Sequence, residues 1–306
     1  MTHTEHTLAI SAAPEAIFDF LADVSQWPLY FPPTVAAREV AREGEQQTIQ
    51  LCAVGGNGLH LWQSQRRLDR DGGRLNFSQV QRHPDLESMQ GTWVVEASEK
   101  PGETTVRLLH DFTMTPGASL SEDDVERIVD DNSMQEIAWL KRALEEPPLV
   151  VYTFSDEVHC PGDLTCAYDF IYRVDEWPNL LPHVSAVTLR ENTPGLQIMD
   201  MTTRSPDGSE HTTSSGRLCI PNKLIEYKQF QRPAALDAHL GMWEFQSDGS
   251  GTVTVRSTHT VGINMASARE VLGDDCTEDR AQQAVRKALG TNSRATMNKL
   301  ADAIRE

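Results

Sequence analysis

The sequence lacks the features of membrane and secreted proteins. It contains no apolar run of the about 18 residues that a membrane span requires. Its first residues, Met1-Thr-His-Thr-Glu-His, lack the basic and apolar regions of a signal peptide. Its 5 cysteines include no C-x-x-C pair, which argues against a disulfide framework and a zinc ribbon. These absences predict a cytoplasmic protein with reduced cysteines.

Motifs of several enzyme classes are also missing. There is no phosphate-binding loop, no G-x-G-x-x-G behind a strand, no H-E-x-x-H and no G-x-S-x-G. The histidines are scattered, so we expect no metal site. A net charge of −18 opposes binding to nucleic acid and to anionic membranes, so we expect neither as a partner. An acidic partner would meet less repulsion at the second half of the chain.

What the sequence does contain is an internal repeat. Its 306 residues correspond to about two domains of ordinary size, and a shift of about 150 positions superimposes unusual residues in the same order. This predicts homologous domains over residues 1–147 and 148–306, divided at Pro147-Pro148. The matched pairs are Trp27-Pro28 with Trp177-Pro178, Gln81-Arg82 with Gln231-Arg232, Gly91 with Gly241, Trp93 with Trp243, His110 with His259, and Asn132-Ser133 with Asn292-Ser293.

Each half shows the same order of predicted elements. A strand comes first, then two short helical pieces, several strands separated by turns rich in glycine, and one long helix. This order predicts an α+β fold with an antiparallel sheet around a long helix. The long helices are predicted over about residues 121–145 and 277–304. In the second, we expect the inward stripe to be small: Ala281, Ala284, Ala288, Asn292 and Ala295.

The candidate catalytic residues alternate along one strand of each half. His60, Ser64 and Arg66, with Trp62 between them, share one face of a strand because side chains alternate with a period of two. His211, Ser215 and Arg217 repeat this spacing in the second half. If the face is buried, each arginine needs a ligand oxygen or an acid such as Asp111. The alternative is that this face is exposed to solvent, with Leu59 and Leu61, or Thr212 and Ser214, inside.

The candidate substrate-binding residues are aromatic or basic. Aromatic rings suit a flat, extended ligand, although most tryptophans are simply part of a core. The alternative for Trp27-Pro28 and Trp177-Pro178, the two Trp-Pro corners, is a structural role in which they fix how the short helices meet the sheet. The alternative for the two arginines is that they are ordinary surface residues. The adjacent His110-Asp111 pair points to opposite faces of a strand and is discounted as a dyad. The candidates are Trp27, Tyr30, Trp62, Arg82, Trp93, Trp177, Arg232 and Trp243.

These motifs resemble the two-domain aromatase/cyclases of bacterial type II polyketide synthases, over nearly the full chain. The resemblance implies a helix-grip fold of the START/Bet v 1-like type in each half. One departure is Thr34, where single-domain relatives carry a tyrosine. The residues that carry the resemblance are Trp62-x-Ser64-x-Arg66, Met89-x-x-x-Trp93 and Phe112-Thr-Met-Thr-Pro-Gly117 in the first half, and His211-Thr-Thr-Ser-Ser-Gly-Arg217, Tyr227-Lys-Gln, His239-Leu-Gly-Met-Trp243 and Gly290-Thr-Asn-Ser-Arg-Ala-Thr296 in the second.

The resemblance further implies a reaction and its partners. An acyl-carrier protein would deliver a poly-β-ketone on its phosphopantetheine arm, other type II synthase components would be partners, and the first ring would close by aldol addition, expected between C7 and C12, followed by dehydration. Arg66 and Ser64 would bind the enolate oxygen and His60 would exchange protons, without a metal or organic cofactor. A non-catalytic carrier of a hydrophobic ligand is the alternative, and a scaffold for the synthase is a third possibility.

Overall fold

The computed structural model describes residues 1–56, 58–80, 84–204 and 208–304. The chain divides into two compact units, one made of Met1–Cys52 and Leu61–Pro148 and the other of Ala53–His60 and Leu149–Glu306. The domain boundary at residue 147 stays a prediction, which limited proteolysis of the Glu145–Pro148 segment would test. No helix among the described residues is long and apolar enough to cross a membrane.

The first unit carries one antiparallel sheet in the order β1-β7-β6-β5-β4-β3-β2. Short helices follow β1 and a long helix, α3, follows β7. The elements are β1 (Thr2–Ile10), α1 (Pro14–Ala22), a 3₁₀ turn (Val24–Gln26), α2 (Trp27–Tyr30), β2 (Thr34–Glu43), β3 (Gln46–Gly55), β4 (Gly58–Asp69), β5 (Arg74–Gln79), β6 (Leu86–Ala97), β7 (Thr104–Met114) and α3 (Glu122–Glu145).

The second unit repeats this sheet in the order β8-β14-β13-β12-β11-β10-β9. The α+β helix-grip fold that the sequence predicts is therefore confirmed in both units. The elements are β8 (Val150–Pro161), α4 (Leu164–Tyr172), a 3₁₀ turn (Val174–Glu176), α5 (Trp177–Leu180), β9 (Val184–Thr193), β10 (Leu196–Arg204), β11 (Glu210–Ile220), β12 (Leu224–Gln229), β13 (Leu236–Ser247), β14 (Thr252–Ile263), α6 (Met265–Leu272) and α7 (Glu278–Ala303).

Both long helices begin at the caps that their sequences indicate. Ser121 accepts a hydrogen bond from the backbone N–H of Asp124, and Thr277 accepts one from that of Arg280. These bonds satisfy N–H groups that the first helical turn leaves open. Acidic residues in the first turn of each helix add a favourable interaction with the helix dipole.

The second long helix corrects the predicted inward stripe. Ala288 and Asn292 are exposed, and Ala284 and Ala295 are only partly buried. Alanine is a weak marker of a buried face because its small side chain gains little from burial. The sequence analysis also missed α6, which packs beside α7 in a separate apolar cluster. The buried residues of α7 are Ala281, Gly290, Ser293, Thr296, Met297, Leu300 and Ala301.

The Trp-Pro corners join the short helices to each other. The indole N–H of Trp27 donates to the carbonyl of Phe20 at 3.1 Å, and that of Trp177 donates to the carbonyl of Phe170 at 2.9 Å. Both indoles are buried in the main apolar core of their unit. These tryptophans therefore have a structural role, since each ties α2 or α5 to the preceding helix.

Two glycines let an aromatic ring lie flat on the sheet. A Cβ atom on Gly91 would come within 2.2 Å of the Phe77 ring, and one on Gly241 within 2.0 Å of the Tyr227 ring. Because these rings lie on buried or partly buried surfaces, they cannot move aside without cost.

We expect Gly241→Ala to lower the free energy of unfolding by about 1 to 3 kcal/mol, the range for an overpacked core. Urea unfolding would measure it. In a Tyr227→Ala background the same alanine should cost much less, because the clashing ring is gone. An equal cost in both backgrounds would show that the clash is not the cause.

Candidate functional site

One row of opposed residues crosses the inner face of each sheet. In the first unit the register pairs Arg66 with Phe77, Phe77 with Gly91, Gly91 with His110, and His110 with Thr4. Directly opposed residues in antiparallel strands project from the same face. The row therefore brings a guanidinium group, an aromatic ring and an imidazole onto one surface.

The second unit repeats the row with different neighbours. Arg217 opposes Tyr227, Tyr227 opposes Gly241, Gly241 opposes His259, and His259 opposes Phe154. The arginine, glycine and histidine are thus common to both units. A tyrosine replaces the phenylalanine of the first unit, and a phenylalanine replaces its threonine.

The strand face proposed from the sequence is turned inward at its Ser and Arg positions. Ser64 and Arg66 are 5% and 2% exposed, and Ser215 and Arg217 are each 2% exposed. Ser64 donates to the carbonyl of Ser78 at 3.1 Å. The solvent-face alternative therefore does not describe these four residues.

The two predicted histidines are exposed, unlike the Ser and Arg positions of the same strands. His60 is exposed while its neighbour Leu59 is buried, and a ring nitrogen of His60 lies 2.9 Å from the carbonyl oxygen of Gly55. His211 is also exposed and lies 3.3 Å from the Ser209 hydroxyl. Both histidines stand near the hairpin end of their strand, and the pairing of β11 with β10 keeps one register from Glu210 to Leu218.

The two buried arginines both bind carbonyls at the end of a short helix. Arg66 Nη2 donates to the carbonyl of Leu21, and the guanidinium carbon lies 5.4 Å from the centre of the Trp27 ring. Arg217 Nη2 donates to the carbonyl of Ile171 at 2.6 Å. These carbonyls have no partner within their helices, so both arginines cap a C-terminus. The suggested partner Asp111 instead lies 2.8 Å from His3.

The arginines differ in their remaining nitrogen. Arg217 Nη1 donates to Gln197 Oε1 at 2.6 Å and to the carbonyl of Tyr172 at 3.4 Å. Arg66 Nη1 and Gln47 Oε1, the equivalent atoms of the first unit, are both buried and have no partner among the described residues. Arg66 Nη1 can therefore donate to a ligand, whereas Arg217 Nη1 already donates within the protein.

Burial disfavours the charged form of both arginines. It lowers the pKa of Arg66 to about 9 and lowers that of Arg217 as well. Arg66 nevertheless remains a cation at neutral pH, because a pKa of about 9 lies above it. A buried cation with a free N–H is a strong donor to a negatively charged oxygen.

A chain of hydrogen bonds occupies the inner face of the second unit. Gln229 Oε1 lies 2.7 Å from His239 Nδ1, His239 Nε2 lies 3.0 Å from His259 Nδ1, and His259 Nε2 lies 2.7 Å from the Ser293 hydroxyl. An amide oxygen can only accept, so His239 Nδ1–H donates, His259 Nδ1–H donates to His239, and Ser293 donates to His259. Every ring nitrogen of these two histidines is therefore in use.

The first unit has a simpler version of this chain. Ser133 donates to the carbonyl of Val129 at 2.7 Å, and its oxygen lies 3.3 Å from His110 Nδ1. Ser133 therefore accepts from His110 Nδ1–H, which leaves the lone pair on Nε2. No described residue bonds to that Nε2. Burial lowers the pKa of His110 to about 4, so the ring is neutral at neutral pH.

All buried side-chain polar atoms without a partner lie in the first unit, within the part of the chain that the structure describes. They are Thr4 Oγ1, His6 Nδ1, Gln47 Oε1 and Arg66 Nη1. A buried polar atom without a partner costs free energy, and such atoms are concentrated where a ligand completes the bonding. Thr4 and Arg66 belong to the same row as His110, so this row is the candidate site.

Other predicted binding residues are distributed around it. Trp62 and Tyr30 are partly buried and pack against the core of the first unit, whereas Trp93 is buried within that core. Trp243 is likewise buried in the core of the second unit. Arg232 is exposed and its Nε donates to the carbonyl of Leu236 at 3.3 Å. Arg82 lies outside the described residues.

A surface cleft of about 630 Å³ lies elsewhere in the first unit. It is lined by residues that include the ion pairs Arg70–Asp19 and Arg42–Glu39. The charged groups of these walls are paired with each other, whereas the inner row carries buried polar atoms without partners. We therefore assign the site to the inner face of the sheet.

The sequence analysis missed the inner histidines and their serine partners. Both appeared in the repeat, as His110 with His259 and Ser133 with Ser293. In the sequence His110 has only Asp111 as a polar neighbour, and adjacent strand residues face opposite ways. Its hydrogen-bond partner lies 23 positions away on α3, a pairing that only the tertiary structure creates.

The buried histidines predict loss of stability in mild acid. Burial lowers the pKa of His110 and His259 to about 4 and that of His239 to about 3, so the unfolded chain binds more protons below pH 6.5. Burial raises the pKa of Glu136 on α3 to about 7, so this group binds its proton more readily in the folded chain. Its effect on stability in acid therefore has the opposite sign and offsets about one of the three histidine contributions. The free energy of unfolding should fall by roughly 2 to 4 kcal/mol between pH 7 and pH 5.

Urea unfolding at both pH values would test this. His110→Gln should show a smaller fall, because one of the buried imidazoles is gone. A stability that is unchanged or higher at pH 5 would contradict the prediction.

Comparisons with known proteins agree with this architecture. The family model described as "Polyketide cyclase / dehydrase and lipid transport" matches residues 10–135 and 161–283. The chain is 38% identical to the actinorhodin polyketide synthase bifunctional cyclase/dehydratase of Streptomyces coelicolor, over 97% of this chain and 95% of that protein. It is 34% identical to the granaticin counterpart of Streptomyces violaceoruber, over 98% and 93%.

Solved structures show the same two-unit fold. The di-domain ARO/CYC BexL from the BE-7585A biosynthetic pathway is 37% identical, with a TM-score of 0.84 and coverage of 100% of this chain and 99% of that one. The di-domain ARO/CYC StfQ from the steffimycin pathway is 28% identical, with a TM-score of 0.77 and coverage of 98% and 97%.

The fold and its inner polar rows define a tandem helix-grip protein. The chain belongs to the polyketide cyclase/dehydrase family, and it is an aromatase/cyclase enzyme of type II polyketide synthesis.

Proposed function

We propose that the chain folds a poly-β-ketone held on the phosphopantetheine arm of an acyl-carrier protein, closes its first ring between C7 and C12, and promotes loss of water from that ring. The names of the Streptomyces relatives, bifunctional cyclase/dehydratases, support both steps. The position of ring closure and the carrier-bound substrate rest on the family resemblance. Other synthase components are proposed partners.

The observation that carries the proposal is the set of unsatisfied polar atoms in the first unit. Arg66 Nη1 and Thr4 Oγ1 are buried without partners, and His110 Nε2 has a free lone pair. In the second unit, Arg217 Nη1 bonds to Gln197 and His259 Nε2 bonds to Ser293. Phe154 takes the position that Thr4 has in the first unit. We therefore place the chemistry in the first unit and assign the second a supporting or binding role.

The proposed cyclisation uses this row directly. A methylene between two carbonyls is already acidic, so the neutral His110 imidazole suffices to remove its proton at Nε2. Arg66 Nη1 donates to the enolate oxygen that forms, and its charge stabilises it. The enolate carbon then attacks a second carbonyl of the same chain, and the oxygen of that carbonyl takes the proton from the His110 imidazolium, which restores the neutral ring. Ser64 stands two residues before Arg66 on the same inner face and would contact the chain there.

Flat side chains would hold the acyl chain near these groups. Trp62 and Phe77 project from the inner face of β4 and β5 and keep part of their surface accessible. Aromatic walls suit a folded chain of conjugated enols. Bringing the two reacting carbons together is itself a large part of the catalysis.

Reconstitution of a minimal type II synthase with and without this protein tests the function. With the protein, we expect products whose first ring is closed between C7 and C12 and is aromatic; without it, we expect products of spontaneous ring closure. A non-catalytic carrier would change the amount of product and leave the ring pattern as it is, and that outcome would overturn the proposal.

A further inference from the structure

A carboxyl group on the long helix of the first unit lies in the same layer as the candidate site. Glu136 follows Ser133 by three positions on α3, and residues three apart lie on one helix face. Ser133 contacts His110 across the interface between helix and sheet. Glu136 is therefore about one helical turn from the group that holds the proposed base.

This layer separates two apolar clusters. On β7, His110 stands between Leu108 and Phe112, which belong to different clusters, and on α3 Ser133 stands between Val129 and Ile137 in the same way. One cluster contains Leu86, Phe112, Val125 and Val129, and the other includes Leu75, Trp93, Leu108, Ile137 and Leu140. Polar groups thus occupy the gap between them.

Glu136 is partly buried on the same helix face as the buried Ser133. Among the described residues none forms a hydrogen bond or ion pair with it. A partly buried carboxyl group without a protein partner is available to hydrogen-bond with a bound molecule.

We propose that Glu136 is the general acid of the dehydration step in the first unit. The inference rests on the proposed function, since it names the group that completes the second half of that reaction. His110 Nε2 takes the proton from the carbon beside the hydroxyl-bearing carbon, and the electron pair forms the new carbon–carbon double bond. The carbon–oxygen bond breaks, and the Glu136 proton joins the departing hydroxyl to give water.

The protonation state of Glu136 at neutral pH suits this role. Burial raises its pKa to about 7, so a large share of the side chain carries the proton that the step consumes. After the reaction the imidazolium of His110 and the carboxylate of Glu136 exchange a proton, which restores both groups. No oxidant, metal or other reactant is needed for the balance.

The second unit has no carboxyl group at this position. Thr296 follows Ser293 by the same three positions, and its hydroxyl donates to the carbonyl of Asn292 at 3.1 Å. A hydroxyl bonded in this way is a poor acid at neutral pH. The difference assigns dehydration to the first unit.

The test is Glu136→Gln in the full-length protein, within the reconstituted synthase. Glutamine keeps the size of the side chain and removes its acidic proton. We expect the first ring to close at close to the parental rate while dehydration slows by about a hundredfold, so that the hydroxylated ring accumulates. Asp131→Asn is the matched control, because it removes an exposed acid from the same helix. Thr296→Val should likewise leave dehydration unchanged.

Two further results separate this inference from the proposed function. If the parent aromatises the ring and Glu136→Gln does so at the same rate, the acid is another group and only the inference fails. If the parent itself leaves the ring pattern unchanged, both fail.

Loss of ring closure together with dehydration, at an unchanged melting temperature, would also overturn the inference. Should Glu136→Gln not fold, Glu136→Asp retains the acid on a shorter side chain. We then expect dehydration to slow and ring closure to persist, and dehydration at the parental rate would count against the role.

Discussion

Replacement of Arg66 with alanine should slow ring closure by about a hundredfold, which corresponds to about 3 kcal/mol of enolate stabilisation. Arg66 Nη1 is buried and has no described partner, so it is free to bind the substrate oxygen. Some stability should also be lost, because Arg66 Nη2 bonds to the carbonyl of Leu21. Product analysis and thermal unfolding of the same samples would measure the two effects.

Arg217→Ala is the matched control and should act mainly on stability. It leaves Gln197 Oε1 and the carbonyls of Ile171 and Tyr172 without their donor, at a cost of about 3 to 5 kcal/mol. Protein that remains folded should still give the aromatic product. If Arg217→Ala spoils the product at full stability while Arg66→Ala does not, the chemistry belongs to the second unit.

His110→Gln should reduce the rate of ring closure by about a hundredfold to ten-thousandfold, the usual contribution of a general base. The glutamine side chain can still bond to Ser133, so we expect little change in the melting temperature. The initial rate of product formation and the melting temperature are the measurements.

His259→Gln provides the comparison within the repeat. His259 bonds to both His239 and Ser293, and the substitution breaks a buried chain of hydrogen bonds. We expect a lower melting temperature and a catalytic rate close to the parental one in the folded fraction. A parental rate in His110→Gln would remove His110 from the mechanism.

The arrangement of elements could be read from the sequence with good accuracy. The helix predicted over about residues 121–145 agrees with α3 (Glu122–Glu145). Turn residues, a serine cap and the alternation of apolar residues are local signals, and each acts within a few positions of the chain. Because the chain is a repeat, each element was indicated independently in both halves.

The site was only partly predictable. Ser64 and Arg66 are buried as their alternation indicates, whereas His60, near the end of the same strand, is exposed. The predicted inward stripe on α7 was wrong because a run of alanines does not specify which face of a helix is buried.

The sequence by itself determined the two-unit organisation, the order of strands and helices, and the residue types available for chemistry. Only the tertiary structure decided which of these residues meet. His110 meets Ser133 because β7 and α3 pack together, and Arg66 keeps a free nitrogen where Arg217 has none because Gln47 does not reach it as Gln197 reaches Arg217. Hydrogen bonds between distant positions depend on differences of about an ångström in packing, and no local pattern in the chain records these.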